Sequence, residues 1–278
     1  MTINFSRQGK QGILHLFLII LVFLNCFPIL WMISSAFKLP NELFSSEIYL
    51  IPHVPTLDNF RTVIKEYDIL NWFYNSIITT LGIALGQIVI SMLAAFALTY
   101  YKTRFNAFIF YMLISTMVIP FQVTMIPNYI LTSKMGILNT PLAVIIPNVA
   151  NASTFFFIRQ HVSSIPKPFF EAAEIEGANS FWIFRHIVFG ICQGAILSMF
   201  ILCLIDGWNQ YFWPLLVLKS SKHQTLTIGL QQFLDHETGN RWGPFMATAT
   251  LASLPMIVIY SFIQKNIIDA FVGSGIKG

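Results

Sequence analysis

The sequence predicts an all-α integral membrane protein with six transmembrane helices and a short polar helix on the cytoplasmic side, between the fourth and the fifth. Three observations carry this. Of 278 residues, 55% are hydrophobic and 10% charged, and the mean hydropathy is +0.67; a water-soluble globule of that composition could not cover itself with polar surface. Six stretches reach or approach the roughly 20 apolar residues that cross a hydrocarbon core. None shows the strict alternation of a membrane β-barrel strand.

The spans run about 13–37, 75–100, 108–131, 142–158, 187–218 and 245–268. Arg7 and Lys10 precede the first as in a signal peptide, but the apolar run continues past Cys26 through Trp31 to Phe37. Cys26 also follows Asn25 rather than a small residue, so the segment reads as an uncleaved first span. In the second span Gly82 and Gly86 form a G-x-x-x-G pattern, followed by Ala94 and Ala97, which suits close approach of another helix. Pro120 and Pro127 in the third, Pro147 in the fourth, Pro214 in the fifth and Pro255 in the sixth each remove a backbone donor and predict kinks or broken helices. Residues 1–12 form an N-terminal segment, 13–268 one six-span domain containing a polar element at 164–186, and 269–278 a tail. Cys26, Cys192 and Cys203 lie in or beside spans without metal-type spacing and read as small core residues.

Basic residues set the orientation. Arg7, Lys10, Lys102, Arg104, Arg159, Lys167 and Arg185 fall on one side of a six-span arrangement, and that side is expected to be cytoplasmic, with both termini. The net charge of +4 suits contact with anionic lipid and carries no implication of nucleic acid.

On that side lies Glu171-Ala172-Ala173-Glu174-Ile175-Glu176-Gly177-Ala178. Pro166 and Pro168 are tolerated only at or before a first helical turn, Glu171 to Glu176 are good helix formers, and Gly177 suits a left-handed C-terminal cap. Asn179 or Ser180 can then cap a second helix leading into the membrane. Ala172 and Ala173 make a low surface ringed by three carboxylates, which reads as a docking element or as an amphipathic interfacial helix.

The fifth span holds Asp206-Gly207-Trp208-Asn209-Gln210-Tyr211. A carboxylate inside a bilayer costs about 2.5 to 3.5 kcal/mol on insertion scales, so Asp206 should face protein or a watery cavity. The cluster reads as the lining of a solute path, with Asp206, Trp208, Asn209 and Tyr211 joined by Gln122 and Asn148, or as interhelical hydrogen bonding and interfacial tryptophan. Gln87, Asn128 and Asn151 are lesser candidates of the same kind. No nucleotide-binding loop, metalloprotease helix, nucleophile elbow or Cys/His cluster is present in the sequence, so ATP hydrolysis and intramembrane enzymology by this chain alone are not expected.

Residues 164–178 resemble the E-A-A loop of permeases from binding-protein-dependent ATP-binding-cassette importers. The surroundings, Gly207 through Leu215, Pro120 with Gln122, Ile126-Pro127, Gly136 through Thr140 and the tail Gly273 through Gly278, are similar to the second permease subunit of maltose-type and multiple-sugar importers. The resemblance implies a six-span subunit paired with a different permease, two copies of a cytoplasmic ATPase that binds ATP and Mg, and an extracytoplasmic solute-binding protein facing the loop 219–244. No cofactor is implied in this chain. Glu171, Ala172, Ala173, Glu174, Gly177 and Ala178 would couple to the ATPase, the tail would reach the ATPase interface, and the complex would lie in the bacterial cytoplasmic membrane. Two departures stand out: Glu176 where Asp is common, and Gly190 and Gly194 where prolines are usual. A glycerol-phosphate or polyol permease is the alternative within the same machinery, and a basic path lining would favour it. A proton-coupled secondary transporter using Asp206 is the alternative from another class, and a membrane subunit without a solute path is a third. The absence of visible inverted repeats and the docking helix weigh against the secondary transporter.

Overall fold

The computed structural model describes residues 5–45, 49–234 and 239–273, and every regular element among them is helical. In chain order the main helices are α1 (Phe5–Ala36), α2 (Asp58–Glu66), α3 (Ile69–Tyr100), α4 (Asn106–Ser115), α5 (Phe121–Lys134), α6 (Pro141–Asn148), α7 (Ala152–Ser163), α8 (Lys167–Ile175), α9 (Ser180–Ile191), α10 (Gln193–Asn209), α11 (Phe212–Val217) and α12 (Trp242–Gly273). Residues 274–278, on which the expected tail contact rests, lie outside the described residues. The chain divides into two compact units, residues 1–69 with 230–255, and residues 70–229 with 256–278.

Three helices are long and apolar enough to cross a membrane unbroken: Gln11–Ala36, Ile69–Tyr100 and Trp242–Ser261. Three helix pairs are long and apolar enough only when taken together, each bent at a short break: Asn106–Val118 with Phe121–Lys134 at 103°, Pro141–Asn148 with Ala152–Ser163 at 49°, and Ser180–Ile191 with Gln193–Asn209 at 77°. Proline explains the first, because Pro120 has no N–H to continue the ladder and forces Ile119 into an extended conformation, φ −78° and ψ 116°. The second bend follows Pro147, at the Val149–Asn151 step where Asn151 starts α7 by accepting the Thr154 N–H at 3.0 Å. The third needs no proline. It falls at Cys192, between Gly190 and Gly194, just after a π-wound stretch Ile183–Val188. Pro255, expected to kink the sixth span, sits inside α12 without ending it.

In the first unit, α1 exposes its apolar side chains all round from Ile13 to Leu24, as suits hydrocarbon contact. At its end Lys38 is buried, with Nζ donating to the Tyr49 carbonyl at 2.6 Å and lying 4.1 Å from the Trp31 ring centroid. Desolvation in that aromatic cage lowers the ammonium pKa below its ordinary value. Asn59 of α2 donates to the carbonyls of Ala36 and Lys38, both at 2.9 Å, closing the turn after α1. A Cβ at Gly243 would collide with the Asn59 amide, which fixes glycine there.

The second unit holds the packed core. A Cβ on Gly82 would come within 2.6 Å of Ile145, and one on Gly86 would collide with Val149, so the G-x-x-x-G face of α3 is the seam on which the α6 segment lies. Gly207 serves the same end, since a Cβ there would stand 3.4 Å from the Thr80 Cα. Apolar clusters fill both sides of this seam, one around Ile83, Val144, Trp213 and Ile228, the other around Ile88, Phe155, Ile158, Ile183 and Ala173. Cys192 and Cys203 are buried, as expected; Cys26 is exposed on α1 and is no core residue.

Candidate functional site: a cavity at the helix breaks and an exposed helix

Interrupted helices leave backbone polar groups that hydrocarbon cannot satisfy, so such breaks belong where protein or water surrounds them. In the second unit three breaks meet. Phe121 opens α5 just after the Pro120 bend, Asn148 and Asn151 flank the gap between α6 and α7, and Gln210 with Tyr211 forms the gap between α10 and α11. These residues, with Asp206, Asn209, Phe212 and Trp213, line a cavity of about 500 Å³.

Amides hold the breaks together. Gln87, buried on α3, donates Nε2–H to the Asn148 carbonyl at 2.8 Å and accepts from the Thr154 hydroxyl at 3.2 Å. Asn148 in turn donates to the Val144 carbonyl at 2.8 Å and accepts from Gln210 Nε2 at 3.2 Å. The Thr227 hydroxyl donates to the Gln210 carbonyl at 2.7 Å, and the Trp213 indole N–H donates to the Ala143 carbonyl at 3.0 Å. The network therefore splints two helix ends across one cavity wall.

Of the six path residues expected from sequence, Asp206, Asn209, Tyr211 and Asn148 line this cavity. Trp208 does not. It is buried against the core, with its ring 6.1 Å from that of Phe73, because it lies two positions, about 200° round the helix, from Asp206. Gln122 is exposed on α5, but the adjacent Phe121 takes the lining position. Among the lesser candidates, Asn151 lines the cavity, whereas Gln87 supports its wall. Phe121, Phe212, Trp213 and Gln210 also line the cavity, and their signal in the sequence is position, each within a few residues of a helix break.

The polar element is a compact helical corner. Pro166 precedes α8, Pro168 lies in its first turn, and the end is a Schellman motif: the Ala178 N–H donates to the Ala173 carbonyl at 2.9 Å, the Gly177 N–H to the Glu174 carbonyl at 3.0 Å, and Gly177 has φ +81°. Asn179, rather than Ser180, caps the next helix by accepting the Trp182 N–H at 2.8 Å. Ala173 is buried with Phe155, Ile158 and Ile183, so it anchors the corner and does not contribute to its outer surface. Glu171, Ala172, Glu174 and Gly177 are exposed, and Ala178 is half-buried. Beside them stand exposed apolar side chains, Phe169, Phe181 and Ile175, the last 87% exposed. Their proximity to the carboxylates was the available signal.

Two helical segments connect corner and cavity. Going back along the chain, α7 leads from the corner to Asn151 in 12 residues, about 18 Å of helix. Going forward, α9 and α10 lead through the Cys192 bend to Asp206 and Asn209. The helices α7 and α10 touch where the Thr154 hydroxyl meets the Cys203 sulfur at 3.6 Å.

Residues 87–271 match the family described as binding-protein-dependent transport system inner membrane component. The chain is 29% identical to the sn-glycerol-3-phosphate transport system permease protein UgpE of Brucella abortus (strain 2308), over 96% of this chain and 98% of that one. It is 31% identical to the arabinooligosaccharides transport system permease protein AraQ of Halalkalibacterium halodurans, over 93% of each. In fold it matches a chain from the crystal structure of a bacterial ABC transporter involved in the import of the acidic polysaccharide alginate, with a TM-score of 0.86, 20% identity, and coverage of 95% of this chain and 99% of that chain.

Proposed function

The chain belongs to the family of binding-protein-dependent transport system inner membrane components, and from that premise we propose that it is the permease subunit of an ATP-driven importer for a sugar or oligosaccharide. It forms one half of the solute path and a different permease the other. Two copies of a cytoplasmic ATPase bind ATP and Mg and supply the energy, and a solute-binding protein delivers the substrate from outside to the loop 219–244. In this reading the three bent pairs count as one span each, giving six, and both termini are cytoplasmic, as is the corner 164–186.

The observation that carries the proposal is the direct helical connection between the exposed corner and the cavity at the breaks. A small rigid helix with Ala172, Gly177 and the apolar Phe169 and Ile175 outermost suits a partner's groove. Closure of the ATPase would displace that helix as a unit, and α7, bent from α6 at its far end, and α10, bent from α9 at Cys192, would convert the movement into a change of access at Asn151 and Asp206. The residues assigned to coupling are Glu171, Ala172, Glu174, Gly177 and Ala178, with Ala173 as the anchor.

The test is ATP-dependent uptake of a labelled oligosaccharide by cells carrying the intact system, with ATPase co-purification scored in parallel. Glu171→Lys combined with Gly177→Asp is expected to abolish both while leaving the permease pair assembled. Uptake that persists without the ATPase and collapses on removal of the proton gradient would overturn the proposal.

A further inference from the structure

We propose that the cavity at the helix breaks admits uncharged polyhydroxylated solutes and rejects phosphate esters and uronates, with Asp206 as the residue that sets this preference. The inference rests on the permease reading above and narrows its substrate. Ancestry does not choose, since the three similar proteins named above serve a phosphate ester, a pentose oligosaccharide and an acidic polysaccharide.

The lining does choose. Its one formal charge is the Asp206 carboxylate, and no Lys or Arg lines the cavity. Among the described residues the ion pairs are Arg61 with Asp58 and Arg241 with Glu66, and none of them involves Asp206. An anion entering would meet a like formal charge in surroundings less polar than water, where repulsion is stronger than in bulk solvent. The remaining polar atoms suit hydroxyls. The Asp206 oxygens can take hydroxyl protons and offer nothing to a phosphate oxygen, and the neutral amides of Asn151 and Asn209 with the Tyr211 hydroxyl complete a lining that holds no cation for an anion to pair with. Exposed aromatic rings at Phe121 and Phe212 complete a surface for the C–H faces of a sugar ring.

The test uses cells carrying the intact importer and two panels of labelled probes: arabinotriose, xylotriose and maltotriose, against sn-glycerol 3-phosphate and trigalacturonate. Saturable, ATP-dependent uptake is expected from the neutral panel alone. Asp206→Asn should lower that uptake about tenfold, the loss expected of a charged hydrogen-bond partner, while Asp206→Glu retains most of it; the permease complex should purify intact from both. Preferred uptake of an anionic probe would overturn the charge preference and leave the permease reading standing. Unchanged uptake with Asp206→Asn, or a complex that falls apart because the carboxylate pairs with a cation of another subunit, would overturn the role of Asp206. ATP-independent uptake, or none from either panel, would sink the permease reading and this one with it.

Discussion

The corner at residues 164–186 and the cavity at the helix breaks are built by opposite means. The backbone of the corner is shaped locally: Pro166, the paired Schellman hydrogen bonds, the Gly177 φ of +81° and the Asn179 cap all lie within a dozen or so residues, and only side chains such as Ala173 and Phe170 tie it to distant parts of the chain. The cavity instead joins Phe121, Asn148 and Gln210 across some ninety residues of chain, and its amide splint runs from Gln87 on one helix to breaks in two others. A local device can be altered without disturbing the spans, whereas a long-range one cannot.

The sharpest way to break that contrast is to add the same side chain to a glycine in each region. Leucine at Gly86 would drive its Cβ into Val149 on the packing seam, costing at least about 1–3 kcal/mol of overpacking; little folded permease should survive detergent extraction. Leucine at Gly177 meets nothing within 4 Å and carries only the left-handed strain of about 1–2 kcal/mol. Folded protein should be recovered in near-normal yield, with ATPase co-purification lost. Equal loss of fold in both would erase the distinction.

That contrast also governs what the sequence could disclose. The corner is written as consecutive signals, so its helix, break and cap were all legible, though not that Ala173 turns inward while Ala172 stays out; that depends on where Ile158 and Ile183 pack. The spans were legible as apolar runs, and Pro120 announced the break after Ile119. The bend at Cys192 carries no proline, and two open glycines with a π-wound turn are a weaker signal. For the cavity, Asp206, Asn209 and Asn148 stood out as polar residues in apolar surroundings. Trp208, expected among them, lies instead on the buried side of the helix beside Phe73, far away in the chain.

Smaller perturbations sharpen the comparison. Asn148→Leu removes the acceptor of the Gln210 amide and should cost about 1–3 kcal/mol, read as a lower thermal midpoint in detergent together with reduced uptake. Asn179→Ala deletes one cap and should cost about 1 kcal/mol, read as weaker ATPase co-purification with uptake only partly reduced. Gly190→Ala is expected to do least: a Cβ there meets nothing within 4 Å, so helix propensity should offset any loss to within about 1 kcal/mol. A large transport defect from this last substitution with normal stability would identify the Cys192 bend as a moving hinge.

The most direct measurement places a cysteine at Asn151 in a background where Cys26, Cys192 and Cys203 are serine, and follows its labelling by a membrane-impermeant thiol reagent in the assembled importer. If corner and cavity are two ends of one device, labelling from outside should rise when ATP is trapped and fall when it is removed, and Glu171→Lys should abolish the switch. Labelling that ignores nucleotide while transport still runs would contradict the coupling of the two regions.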